Sequence, residues 1–73
     1  MPLLTPESYD IFRRLSETWA LEDAVIGRIA EESQRRPADV RRRLTLLRQQ
    51  GLIERRRRHT IDAAFEIRRI GRE

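Results

Sequence analysis

Two arginine clusters are the groups in this 73-residue chain best suited to chemistry. Arg41, Arg42 and Arg43, with Arg48 further along, lie between Pro37 and Gly51; Arg55 to Arg58 form an unbroken run that His59 follows. A guanidinium stays charged at any physiological pH, pairs bidentately with the edge of guanine and neutralises phosphate. That is binding chemistry. The groups that nucleophilic or metal chemistry needs are missing or isolated. There is no cysteine, which removes thiolate and disulfide chemistry, and His59 is the one histidine, so a zinc site is not expected. Glu31-Glu32 reads as a solvated helix face rather than a working carboxylate pair. His59, beside four arginines, reads as a phosphate contact or a turn residue rather than a catalyst. Neither enzyme activity nor a cofactor is expected.

The charge is polarised along the chain. Residues 1–32 carry seven acids and three arginines, net −4, whereas residues 33–73 carry thirteen arginines and five acids, net +8, consistent with the overall +4. This asymmetry points to one face for a polyanion and another turned away from it. All sixteen basic residues are arginine. The length fits one domain over residues 1–73, which buries only about 60% of its unfolded surface and leaves little room for a catalytic cleft. No apolar run approaches the ~20 residues of a membrane span, and Met1-Pro-Leu-Leu lacks the basic start and apolar core of a signal peptide. A soluble, cytoplasmic protein is expected.

Both clusters need elements to position them, and the spacing predicts which. Thr5 before Pro6 is a helix start, and Leu4 and Tyr9 are spaced as a hydrophobic staple. Ile11, Phe12 and Leu15 give that helix an apolar stripe, and it is expected to run from Pro6 to about Glu17. Thr18 to Leu21 reads as a short connection or brief strand, with Trp19 covering the core. Glu22 and Asp23 suit the N-terminus of a second helix, near 22–33, whose apolar face is Leu21, Val25, Ile26, Ile29 and Ala30. Gly27 within it costs ~1 kcal/mol relative to alanine, and close approach of a neighbouring helix is one reason for its presence. Pro37 opens and Gly51 closes a third helix, near 37–50. Val40, Leu44 and Leu47 share its inner side; Ala38, Arg42, Thr45 and Gln49 lie opposite, flanked by Arg41 and Arg48. Leu52–Arg57 and Ala63–Arg69 alternate as strands, turning through Arg58–Asp62, so a hairpin spans about 52–69. Gly71-Arg72-Glu73 is expected to fray. The fold class expected is mainly α with a small β-hairpin.

The run Ile29-Ala30-Glu31-Glu32, Pro37, Val40, Leu44, Leu47 and Gly51-Leu52-Ile53 resembles winged helix-turn-helix regulators, above all the MarR-like and ArsR-like groups. With the first helix and the hairpin, the resemblance covers nearly the whole chain. It implies a third helix lying in the major groove of duplex DNA and a hairpin, the wing, reaching the backbone or minor groove. Carried over by position, it implies Ala38, Arg41, Arg42 and Thr45 as base-facing residues and Arg57, Arg58 and His59 as wing contacts. The chain departs from the pattern at Ser33 and Arg35, where apolar residues usually pin the turn; Arg35 is expected to lay its stem on apolar surface and keep its head wet. Arg36 stands where a serine, threonine or aspartate usually caps the third helix. Leu46 stands where a polar residue is usual. Packing against the first helix or a wing strand is its expected role, and a protein contact is the alternative.

The chain stops just after the hairpin, without the further helices that such regulators use to dimerise and to bind effectors, so a small-molecule sensor is not expected. The resemblance is then to a bare winged domain of the kind found in small phage-type repressors, excisionases and accessory regulators, acting as a monomer or weak homodimer. Three functions follow. The first is a DNA-binding transcription regulator. The second is a docking module that acts on RNA polymerase or another transcription protein. The third is an excisionase-like architectural DNA binder.

Overall fold

The computed structural model describes residues 4–58 and 64–70. The chain forms three helices and a three-stranded antiparallel sheet: α1 (Pro6–Arg13), β1 (Ala20–Leu21), α2 (Glu22–Ser33), α3 (Pro37–Gln49), β2 (Ile53–Arg57) and β3 (Phe65–Arg69). The strand order is β1-β3-β2. No helix among the described residues is long and apolar enough to cross a membrane.

The helix starts follow local chemistry. The Thr5 hydroxyl accepts from the Ser8 N–H at 3.2 Å, and Pro6 occupies the first turn, where its missing N–H has no partner to lose. Neither α2 nor α3 has a side-chain cap; Glu22 and Asp23 in the first turn of α2 and Asp39 in that of α3 supply negative charge to the free N–H groups instead.

Helix α1 ends four residues before the expected Glu17, and the cause lies far along the chain. The Arg69 N–H, at the end of β3, donates to the Ser16 carbonyl at 2.8 Å. The Ser16 hydroxyl accepts from the Thr18 N–H at 3.0 Å and shares a further bond with the Thr18 hydroxyl at 2.7 Å. These bonds hold Ser16–Thr18 in a turn that competes with another helical turn. From β1, the expected two-stranded hairpin gains a third strand: Ala20 pairs with Ile67 and Leu21 with Glu66.

Helices α2 and α3 end in the same motif. Gln34 takes the left-handed conformation at φ 54° while its N–H and that of Arg35 bond to the Glu31 and Ala30 carbonyls. Gly51 does so at φ 76°, with its N–H and that of Leu52 on the Arg48 and Leu47 carbonyls. Six-to-one and five-to-two closures of this kind satisfy the last carbonyls of a helix. Gly51 suits the conformation at no steric cost, whereas Gln34 carries a Cβ there.

In the hairpin, Ile53 pairs with Arg69, Arg55 with Ile67 and Arg57 with Phe65. The Ile70 N–H extends the ladder to the Leu52 carbonyl at 3.0 Å, and the Arg58 N–H to the Ala64 carbonyl at 2.7 Å. Period-two alternation turns Ile53 and Ile67 inward, where both are buried. They join Ile11, Phe12, Leu15, Val25, Ile26, Ile29, Ala30, Val40, Leu44 and Leu47 in one core. Every residue of the predicted α3 inner stripe is in it. Trp19 is not: it is half-buried on the other face of the sheet, under the guanidiniums of Arg56 at 4.1 Å and Arg68 at 4.7 Å from its ring centre. Gly27 admits no neighbour either, since a Cβ built there meets nothing within 4 Å.

Candidate nucleic-acid interface

Helix α3 packs Val40, Leu44 and Leu47 inward, which fixes what it offers outward. Ala38, Arg41, Arg42 and Thr45 are all exposed on its outer stripe, as their spacing predicts. The arginines there are not free. The Arg41 guanidinium lies 3.7 Å from Glu22 and 3.6 Å from Asp23, both at the start of α2. Arg42 and Arg43 both reach Asp39 one turn back, at 3.2 and 3.3 Å. The Thr45 hydroxyl donates to the Arg41 carbonyl at 3.2 Å.

The arginine run of β2 is divided by the pleat. Arg55 points to the inner side, where its Nε donates to Glu22 at 2.7 Å, a second nitrogen donates at 3.2 Å and its guanidinium lies 3.5 Å from the centre of the Phe65 ring. Arg56 points to the opposite face and pairs with Glu66 at 2.9 Å. Arg57 returns to the Phe65 side, 5.9 Å from that ring. The run therefore presents two faces, and half of its length is occupied by intramolecular contacts. Among the described residues, Arg36, Arg48, Arg57 and Arg58 have no carboxylate partner. His59 lies outside the described residues, as do the rest of the expected turn to Asp62 and the expected strand start at Ala63.

The structure brings α3 and the sheet together around Glu22. Its side chain is only 11% exposed and is held by Arg55 of β2 and Arg41 of α3. Sequence reasoning placed Glu22 at a helix start and missed this bridging role. The signal available was the alternation of β2: once Ile53 is inward, Arg55 must be inward too, and an inward arginine needs an acid. Beside Glu22 a cleft of about 140 Å³ opens between α3 and the sheet, with Arg41, Thr45, Arg48 and Arg55 on its rim.

On the other side of α3, Arg35 is a tertiary link rather than a wet head group. It is 24% exposed and lies 3.8 Å from Asp10 of α1 and 4.0 Å from Asp39 of α3. Where an apolar turn residue is usual, the Arg35 guanidinium thus lies near two carboxylates, one on α1 and one on α3, while its Nε is buried without a hydrogen-bond partner. Asp10 also receives Arg14 at 3.3 Å and Arg13 at 3.4 Å. Partial burial favours its neutral form, but the hydrogen bonds and charges of Arg14 and then Arg13 outweigh this and hold the carboxyl below its usual value. Leu46, expected to pack on α1 or a strand, is 45% exposed, while Val40, Leu44 and Leu47 fill the inner side of α3.

Compared with known protein families, with curated proteins and with solved structures, the chain matches none.

Proposed function

We propose that this chain is a winged helix-turn-helix module that binds duplex DNA and regulates transcription in the cytoplasm, with α3 in the major groove and the arginine-bearing hairpin on the phosphate backbone. One observation carries the reading: Arg41, Thr45 and Arg48 of α3 line one cleft with Arg55 of β2, which sets the exposed outer stripe of the helix beside the strand that ends in Arg57. Arg57, the last residue of β2, and Arg58 after it have no carboxylate partner among the described residues. Of the carboxylates on Arg41 and Arg42, Asp23 is 90% exposed, whereas Asp39 and Glu22 are 28% and 11% exposed; exposed ion pairs are worth about 0–1 kcal/mol, so a phosphate replaces Asp23 at little cost. Arg42, 72% exposed at the centre of the outer stripe, is the residue assigned to bases. Arg57 and Arg58 are assigned to phosphates.

The test is a titration of the labelled protein with mixed-sequence duplex DNA over a range of salt. Affinity that falls steeply with salt is expected, because phosphate contacts release counterions. Absence of binding at low salt would reject the proposal. Arg42→Ala should change sequence preference, which a competition between duplexes of different sequence measures.

A second reading, docking on RNA polymerase or another transcription protein, has one observation in its favour. Leu46 is exposed on α3 where packing was expected. On that reading Leu46→Ala abolishes partner capture, Arg42→Ala does not, and duplex DNA does not compete.

A further inference from the structure

Ile53 and Ile67 turn the inner face of the sheet to the helices, and the outer face is left uncovered among the described residues. Its side chains are open to solvent. Leu21 is 40% exposed, Ile70 46% and the Arg56 side chain 51%, and Glu54 and Arg68 are half-buried beside them.

The strand register sets these groups in rows. Trp19, Arg68 and Glu54 form one row; Leu21, Glu66 and Arg56 form the next. Ile70 lies one row beyond the first, and Ala64 one row beyond the second. The four charges alternate in both directions, with Arg68 2.8 Å from Glu54 and Arg56 2.9 Å from Glu66. They cancel, so this patch does not repel a second copy as the unpaired arginines elsewhere do. A two-fold axis perpendicular to the strands, midway between the two rows, makes the patch complementary to itself. It sets Glu54 of one copy against Arg56 of the other, Arg68 against Glu66, Leu21 against Trp19 and Ile70 against Ala64. An axis parallel to the strands through the four charges instead leaves Trp19 and Leu21 beyond the edge of the facing sheet.

We infer that the outer face of the sheet is a self-association surface, on which a second copy of the chain docks sheet against sheet about the perpendicular axis. Each contact then occurs twice, as in any two-fold interface. Strands ~4.8 Å apart with residues ~3.4 Å apart give the patch only a few hundred Å². That is below the roughly 800 Å² per partner of a standard stable interface, so the dimer is weak, with a dissociation constant on the order of 0.1–1 mM. The helices lie on the two outer sides of such a dimer and α3 stays open. The inference does not require the chain to bind DNA.

The test is sedimentation equilibrium of the full chain at low salt, from about 0.02 to 2 mM, which brackets that range. A monomer–dimer equilibrium is expected, with concentration-dependent NMR shifts centred on Leu21, Ala64, Ile70 and the Trp19 indole. Glu54→Arg and Arg56→Glu should each weaken self-association about tenfold, because each brings like charges together across the axis. Mixing the two variants should restore association to the native level, since every 54–56 contact in the mixed dimer is again between opposite charges. General attraction does not explain such a rescue: the native net charge of +4 becomes +6 and +2, so both variants remain positive. Unchanged amide spectra away from the hairpin check that both are folded. Arg42→Glu, which alters the charge as much as Arg56→Glu but on α3, should leave self-association as it was. A monomer throughout the range, shifts of the native chain centred elsewhere, equal weakening by Arg42→Glu, or no rescue on mixing would overturn the assignment.

Discussion

Single residues carry more of this fold's tension than their types suggest. Glu22 is the clearest case. Its carboxylate joins the start of α2 to β2 and α3, through Arg55 and Arg41. Removing it leaves two arginines facing each other around a half-buried space, and Glu22→Ala should destabilise the chain by about 1–3 kcal/mol, read from a urea midpoint. Gly27 and Gln34 work in the opposite sense. A Cβ at Gly27 meets open space, so Gly27→Ala should stabilise by about 0.8–1 kcal/mol, the ordinary helix-interior difference. An unchanged or lower melting temperature would contradict the open space. Gln34 sits at φ 54°. Relief of its left-handed strain exceeds the extra freedom that glycine has when unfolded, so Gln34→Gly should gain about 0.5–1 kcal/mol.

At the scale of elements, α3 joins core and surface in one helix. Leu44 lies at 5% exposure between Val40 and Leu47. Leu44→Ala should cost about 2–5 kcal/mol, most of the stability of so small a domain, and a calorimetric melt checks this. The inner stripe was legible because three apolar residues recur at helical spacing. The outer stripe was legible as positions but not as charges. Asp39, one turn before Arg42 and Arg43, neutralises both locally, while Asp23 and Glu22 reach Arg41 from another helix. The hairpin gives the complementary prediction. Among the described residues, Arg57 and Arg58 have no carboxylate partner. On the DNA proposal, alanine at each should weaken all duplexes alike and lower the slope of log affinity against log salt by about 0.9 per lost phosphate contact. An unaltered slope would remove the hairpin from the interface.

Across the whole molecule, a network of ion pairs links the three helices outside the apolar core they share. Glu32 of α2 receives Arg14 at 3.2 Å; Arg14 holds Asp10 of α1; Arg35 reaches from Asp10 to Asp39 of α3. The Arg28 guanidinium donates to the Arg14 carbonyl at 3.0 Å and closes the end of α1. This chain of charges gives the fold an acid-sensitive component. The Asp10 carboxyl is held below 3.8 in the folded state. Its stabilisation is therefore complete above the unfolded value near 3.8 and is lost as pH falls through the lower folded value. The stability difference between the native chain and Asp10→Asn should be constant above about pH 5 and shrink below the unfolded value, as urea midpoints at a series of pH values would show. A difference that grows on acidification would reverse the assignment.

By itself the sequence determined where α1 and α3 begin, where α3 stops, which residues of α1 and α3 face the core and which positions line the outer stripe of α3; Leu21, expected on the apolar face of α2, is instead exposed in β1. All of these depend on neighbours within about four residues, where backbone geometry and side-chain spacing act directly. The tertiary structure decided the rest. The end of α1 depends on an N–H more than fifty residues away, which takes the Ser16 carbonyl into the sheet. Trp19 stacks under Arg56 and Arg68 because β1 joins β3, and Arg55 is lost to the free surface because Glu22 lies beneath it. Which arginines stay unpaired is fixed only when distant acids have been brought to their places. Charge pairing acts through space, over a few ångströms, and the chain alone does not say which charges will come that close.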